Sequence, residues 1–472
     1  MKEKKEVRKP NAAEAISTIL FLLIVAVAGY IFMGLRVEVL MLVSAFYCAF
    51  IAWRCGLTIT DMLDGINAKM GECGSLLLFV TGIGFVVGSW LYSGTIPVVI
   101  SWLVQIVNPA FVLLLSFVAC SIVAIILGTS GGTIGTIGVI MCGVATVQGV
   151  NPAMAAGAVV SGCYVGQIFS PVADMPTLAG QLCDNTDPFT AIRLMLPSGL
   201  GAYVIACIAY LIMGRGSAAA GTQPENIEAF VNSVTAAFRT SLVILIPLLV
   251  LVILIVRKVA PAPSMFVSGF SAILVGWLYQ RLPLADGFLA AYSGFQESML
   301  HAEYEYSQEF LNLTGRGGMT SIASMYVFII VAMVYAGLMT KMGAIDVVAE
   351  VLFSKIKSTG NFILASTIGT MVIQACVGSV YATNFVSAEM FREGFKKLGL
   401  SSANLLRVLQ TGSTLGVILI PWTSGSVYAA NALGMEPLQF IPYLVWIYVA
   451  ILINVIMGYM KKGVIREREE TE

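Results

Sequence analysis

Histidine and charge are both scarce. The 472 residues contain one histidine, His301, and only 11% are Asp, Glu, Lys or Arg. An ordinary soluble protein is about a quarter charged, so a soluble globular enzyme is excluded. His301 lies in a polar, acidic stretch, which leaves no histidine for Ser/His, Cys/His or HExxH chemistry in an apolar interior. Lys plus Arg and Asp plus Glu number 26 each, for a formal charge of zero, and no basic surface is available for nucleic acid. The nine cysteines, at 48, 55, 73, 120, 142, 163, 183, 207 and 376, form no CxxC and sit mostly in apolar stretches. Neither a disulfide framework nor a zinc site follows from that pattern. No cofactor is expected.

Apolar side chains are abundant, at 58% of the chain with a mean hydropathy of +0.90. At about 20 residues per span, that allows roughly 13 spans, and about 10–12 transmembrane helices are expected. The expected class is an all-α polytopic membrane protein in the cell membrane. Spans are read near 16–35, 37–53, 75–96, 110–128, 136–160, 190–213, 240–256, 264–280, 319–340, 360–378, 409–430 and 439–460. The tail 1–15 carries five basic residues, and 461–472 carries Lys461, Lys462, Arg466 and Arg468. By the positive-inside rule both tails are cytoplasmic. An A-x-A site at Ala26–Ala28 would also suit a signal peptide, but the apolar run continues past it, and an uncleaved helix is expected. The polar segment 214–239, with Gly214, Gly216, Gly221 and Pro224, reads as a linker between a first membrane half, 16–213, and a second, 240–460.

Two regions do not read as plain spans. The first is GTSGGTIGTIG, 128–138, with SGCYVGQIFSPVADMPTLAG, 161–180. The second is VGSVYATN, 377–384, with GSTLGVILIPWTSGS, 412–426. Polar and helix-breaking residues at membrane depth are tolerated only where protein buries them or they line a cavity. One such region in each half points to two inverted repeats whose discontinuous helices or re-entrant hairpins meet at a midplane site. VGQIFS from Val165 and VGSVYA from Val377 pair Gly166 with Gly378 and Gln167 with Ser379. Helix packing alone also explains small-xxx-small spacings such as Gly128-x3-Gly132.

Asp174 is the one carboxylate placed within these regions, and an intramembrane acid is by default functional. It can ligate Na+ or take up a proton; a capping role at the interface is the alternative. Ser170, Thr129 and Thr133 supply hydroxyls beside it. The second region has no obvious acid. It offers Ser379, Thr383, Asn384, Gln410, Thr414 and Thr423, with Tyr381, Trp422 and Tyr428 as aromatics. Neutral donors and acceptors of this kind suit an organic solute as well as an ion.

These segments resemble the NhaC family of Na+/H+ antiporters over roughly residues 75–460. GTSGGTIGTIG resembles the family's GTS-x-GTIGTIG, and SGCYVGQIFSPVADMPTLA its SGAYFGDKMSPLSDTTNLA. Arg316–Gly318 match its RGG, and the run through LLRVLQTGSTLGVILIPW resembles its LSRTLEDSGT and LIPWN. The resemblance implies a cation-coupled secondary transporter with Na+ or H+ as coupling ion, working by alternating access in the bilayer. The family's acids are Gln167, Ser379, Gln410 and Thr411 here, its histidine before Ile192 and Arg193 is Ala191, and its Asn after PW is Thr423. Acids replaced by amides and hydroxyls fit a small organic solute such as an amino acid or carboxylate. On this reading Asp174, Ser170, Thr129 and Thr133 hold the coupling ion. Gln167, Ser379, Thr383, Asn384, Gln410, Thr414, Trp422 and Thr423 contact the solute. Plain Na+/H+ antiport and, in another class, an ion channel remain alternatives, and a homo-oligomer is left open.

Overall fold

The computed structural model describes residues 8–466 apart from 73, 172, 185, 222–223, 258, 301–303, 316, 345–346, 349–357 and 461–463. Among the described residues the regular structure is helical, and the β pairing is one isolated bridge, Leu400 to Arg466. The protein is an all-α polytopic membrane protein. Six described helices are long and apolar enough to cross a bilayer, and three bent pairs raise the number to nine. The bent pairs are Val80–Tyr92 with Thr95–Ile106 (69°), Ile227–Ala237 with Leu242–Val256 (92°) and Pro437–Tyr443 with Val445–Tyr459 (57°). Fewer unbroken spans appear than the ten to twelve expected, because several apolar stretches are split or, like Ala12–Val25 and Ala262–Leu278, short. Helix Pro188–Gly221 turns Leu200, Val204, Ile208 and Ile212 outward on one stripe, the i, i+4 spacing of a lipid-facing surface.

Two boundaries differ from the sequence reading. The stretch 136–160 is two helices, Ser130–Val147 and Pro152–Phe169. Gly149 turns the chain at φ +71°, the Asn151 side chain accepts from the Ala153 N–H, and Pro152 opens the second helix, where its missing N–H is harmless. The stretch 409–430 is also interrupted. Helix Ser402–Leu409 runs into a π-turn, Gln410–Thr414, and a 3-10 turn, Gly416–Ile418, before helix Ser424–Leu433. The segment 214–239 is mostly helical, occupied by the end of Pro188–Gly221 and by Pro224–Ala237, whose Phe230 and Val234 are buried.

The two halves repeat each other at a spacing of 250 residues. Val112–Leu127 ends on Gly128 (φ +70°) and Thr359–Val377 on Gly378 (φ +72°), both left-handed. The next residues, Thr129 and Ser379, are extended, and helices restart at Ser130 and Val380. Asn151 and Ser401 cap the following helices, accepting from the N–H groups of Ala153 and Ala403. Pro171 and Pro421 fall in the next breaks, and helices Asp174–Leu182 and Ser424–Leu433 begin beyond them. Gly162 and Gly166 match Gly412 and Gly416. A Cβ on Gly162 would lie 2.4 Å from the Phe117 carbonyl oxygen, and one on Gly412 2.8 Å from that of Thr367; Phe117 and Thr367 are again 250 apart. The pairing of Gly166 with Gly378 is therefore corrected: Gly166 lies within helix Pro152–Phe169, whereas Gly378 ends a helix. The close helix crossings use Gly162, Gly166 and Gly412, where only a hydrogen fits against the facing backbone, whereas at Gly416 the neighbour is the Met371 side chain.

Candidate functional site

The break at Gly128 and Thr129 leaves the first N–H groups of helix Ser130–Val147 without intrahelical partners. One finds a side chain: the Ser130 N–H donates to Gln167 Oε1 at 2.8 Å. Gln167 sits near the end of helix Pro152–Phe169, 7% exposed. Its Nε2 donates to Asp174 Oδ1 at 2.7 Å. The other carboxylate oxygen, Oδ2, accepts from the Tyr381 hydroxyl of the second half. One short chain of hydrogen bonds thus joins both breaks of the first half to the helix that restarts after Gly378. Asp174 opens helix Asp174–Leu182, where a negative charge is favoured by the helix dipole. At the far end Arg392 donates to the Leu182 carbonyl at 2.6 Å, complementing the other pole.

Asp174 is exposed and Tyr381 is half-exposed, so the carboxylate lies at the surface of the folded chain. Immediately below it, Met175 is buried and takes two amides from the second half. Gln410 Nε2 donates to the Met175 carbonyl at 2.9 Å, and Asn384 Nδ2 lies 3.8 Å from its sulfur. Around these amides, Thr383 Oγ1, Asn384 Oδ1, Ser387 Oγ, Gln410 Oε1 and Thr414 Oγ1 are buried without a hydrogen-bond partner among the described residues. Each such atom, left unpaired, costs about 1–3 kcal/mol, so water, an ion or a solute group is expected against them. Gln374 Nε2 is a sixth buried polar atom of this kind, on helix Thr359–Val377.

The other expected residues lie nearby in different settings. Thr129 caps its helix by accepting from the Gly132 N–H at 3.3 Å, and the Thr133 hydroxyl donates to the Thr129 carbonyl at 2.8 Å. Ser170 is fully buried at the break, its N–H donating to the Gly166 carbonyl at 2.9 Å. Ser379 is half-buried and extended ahead of helix Val380–Lys397. Trp422 donates its indole N–H to the Ala375 carbonyl at 3.0 Å, and the Thr423 hydroxyl donates to the Val417 and Ile420 carbonyls. Both are thereby held by backbone within the second half. Arg316 lies outside the described residues. Sequence reasoning did not select Tyr381, Ser387 or Gln374 as site residues. Tyr381 had a signal, two positions after the break residue Ser379; Ser387 and Gln374 lie inside helices with nothing in the local pattern to single them out.

A further tie between the halves is the hydroxyl of Tyr428, which donates to the Gly131 carbonyl. Beyond it a cavity of about 620 Å³ runs between helix Ser424–Leu433 and Ile83, Gly84, Gly317 and Phe328. It reaches Pro421 in the second break but touches neither Asp174 nor Gln167. Among the described residues no three His, Cys, Asp or Glu side chains gather as a metal cluster.

Residues 162–462, which contain Gln167, Asp174, Tyr381, the whole second repeat and the Met175 surroundings, match the family model described as the Na+/H+ antiporter family. The chain belongs to that family. Relatives of this Na+/H+ antiporter family member extend over nearly its whole length. The Na+/H+ antiporter NhaC of Alkalihalophilus pseudofirmus is 28% identical over 86% of each chain. A malate-2H+/Na+-lactate antiporter of Bacillus subtilis is 26% identical over 97% of this chain and 96% of its own. The arginine/ornithine antiporter ArcD of Halobacterium salinarum is 26% identical over 96% of this chain and 92% of its own. The family member described here is thus a multi-pass membrane protein whose relatives carry ions or small organic ions.

Proposed function

We propose that the protein is a cation-coupled secondary transporter that moves a small organic solute, an amino acid or a carboxylate, by alternating access, with Asp174 as the residue that takes the coupling Na+ or H+. The observation that carries this reading is the position of Asp174: a lone carboxylate held by Gln167 of its own half and by Tyr381 of the other. Exchanging the ion on it changes the bonding between the halves, which is what a carrier needs in order to link ion binding to a rearrangement. The neutral amides and hydroxyls around it, together with relatives whose names specify malate, lactate, arginine and ornithine, favour an organic solute. Plain Na+/H+ antiport is the second reading, favoured by the NhaC relative.

The test uses purified protein in liposomes. Counterflow of a labelled carboxylate or amino acid, accelerated by a Na+ or proton gradient and saturating with concentration, is the expected result. Na+-driven pH change with no solute counterflow leaves plain antiport as the function, and ohmic single-channel currents refute the carrier. Asp174→Asn should uncouple transport from the ion gradient; unchanged ion dependence in that variant removes Asp174 from the coupling role.

A further inference from the structure

The cavity of about 620 Å³ beside helix Ser424–Leu433 stands apart from the hydrogen bonds around Asp174. Its volume falls within the roughly 300–1,000 Å³ of small-molecule sites. It lies between the halves, with Ile83, Val87 and Val139 from the first and Phe328, Val427 and Asn431 from the second. Polarity is divided along its depth. The deep wall is apolar, with Ile83, Leu91, Ile96 and Phe328 all 3% exposed or less. Among the described lining residues the charged ones are Arg36, Glu38 and Glu436. Arg36 and Glu436 are exposed and Glu38 is half-buried, so charge of both signs sits at the rim.

We propose that this cavity is the chamber that takes the solute, and that the solute is a zwitterionic amino acid with an apolar side chain. The inference rests on the transporter reading above and names the solute class within it. Burying a charge without a partner is costly, so a deep wall of hydrocarbon accepts an aliphatic or aromatic side chain and rejects a charged one. At the rim, the Arg36 guanidinium suits an α-carboxylate, and the Glu38 and Glu436 carboxylates complement an α-ammonium. Malate and arginine, named for two of the relatives, each bring a further charge and are disfavoured here. A lipid tail would use the hydrocarbon wall but not a rim of both signs. The helix that walls the chamber is also joined to Asp174. Tyr428, next to Val427, donates to the Gly131 carbonyl, the adjoining Ser130 N–H donates to Gln167, and Gln167 donates to Asp174. A Cβ on Gly135 would meet both the Tyr428 hydroxyl, at 3.0 Å, and the lining residue Ile83, at 3.5 Å. Solute seated against Val427 therefore bears on the bonds that lead to the carboxylate.

Equilibrium dialysis of tritiated leucine and of tritiated phenylalanine against the purified full chain tests this. Saturable binding of one or both is expected. For the amino acid that binds, its amide, which lacks the carboxylate, and its desamino acid, which lacks the ammonium, should each compete at least about tenfold less well. Malate and arginine should do no better. Val427→Trp fills the chamber and Arg36→Gln removes the rim cation; each should weaken binding at least about tenfold, whereas Val204→Trp, on the lipid-facing stripe, should bind as the parent does. Thermal melts verify folding, and exposed Arg36 still gives the answer if Val427→Trp does not fold. Absence of saturable binding of either amino acid overturns the assignment, as does binding untouched by both variants. Equal competition by the amide and the desamino acid leaves an apolar pocket of the kind a lipid tail fills, and overturns it too. Ion-driven counterflow of malate or arginine without leucine or phenylalanine binding refutes this chamber alone, whereas binding without counterflow of any organic solute refutes the transporter reading alone.

Discussion

Adding one methyl group at Gly166 should disable transport. A Cβ there would lie 2.2 Å from the Cβ and carbonyl carbon of Ala124, where ordinary contact begins at 3.4 Å. Backbone cannot rotate aside as a side chain can, so helices Val112–Leu127 and Pro152–Phe169 must separate by about 1.2 Å locally. Overpacking of this severity costs about 3 kcal/mol, the upper end of the usual range. The displacement also acts on the next residue. Gln167 holds the Ser130 N–H at 2.8 Å and Asp174 at 2.7 Å, and about 1 Å more takes both beyond hydrogen-bond range. Gly166→Ala is therefore expected to melt earlier in detergent and to lose at least tenfold in liposome uptake per folded molecule. Gly216→Ala is the control: no atom lies within 4 Å of the added Cβ, and alanine is the better helix former, so stability should hold or rise slightly. A Gly166→Ala protein that melts and transports like the parent would refute the close crossing and the dependence of the site on it.

Three further outcomes follow from named contacts. Tyr381→Phe removes the hydroxyl that reaches Asp174 from the second half; uptake should fall about tenfold, roughly the 1.5 kcal/mol of a hydrogen bond to a charged group, and melting should fall by no more than that bond contributes. Tyr428→Phe loses the tie to the Gly131 carbonyl and should lower stability by about 1 kcal/mol, read by thermal melts. Glu14, ahead of the first expected span, accepts from both Arg8 guanidinium nitrogens at 2.7 Å and from the Asn11 N–H, and Arg8 above all pulls its pKa from 4.5 to about 2. The folded value is the lower one, so this contribution is complete above about 4.5 and is lost as pH falls toward 2; a Glu14→Gln protein should lack that part of the acid sensitivity in a pH series of melts.

Much of this organisation can be read from residue types. Low charge and long apolar runs define a helical membrane protein, and both breaks stand out as Gly, Ser, Thr and Pro where apolar residues belong. The register of the repeat is not visible there. Two identities in six positions favoured pairing Gly166 with Gly378, while the true partner of Gly378, Gly128, is defined by the left-handed helix end they share, which nothing in the residues flanking each glycine reveals. Asn151 and Pro152 carry a legible helix-start signal inside the stretch 136–160. The depth of Asp174 depends on how the second half packs over the first, which no local pattern encodes. The same holds for the unpaired oxygens near Met175, since three belong to one helix and two to another element.

Helices Asp174–Leu182 and Ser424–Leu433 begin at equivalent positions of the repeat, one with a carboxylate and the other with a hydroxyl. Two identical halves facing opposite ways would make a reversible machine with no difference between its sides. A single acid at one of the two equivalent points makes the halves chemically unequal there. The repeat therefore carries a titratable group at one of its two equivalent helix starts and a neutral hydroxyl at the other.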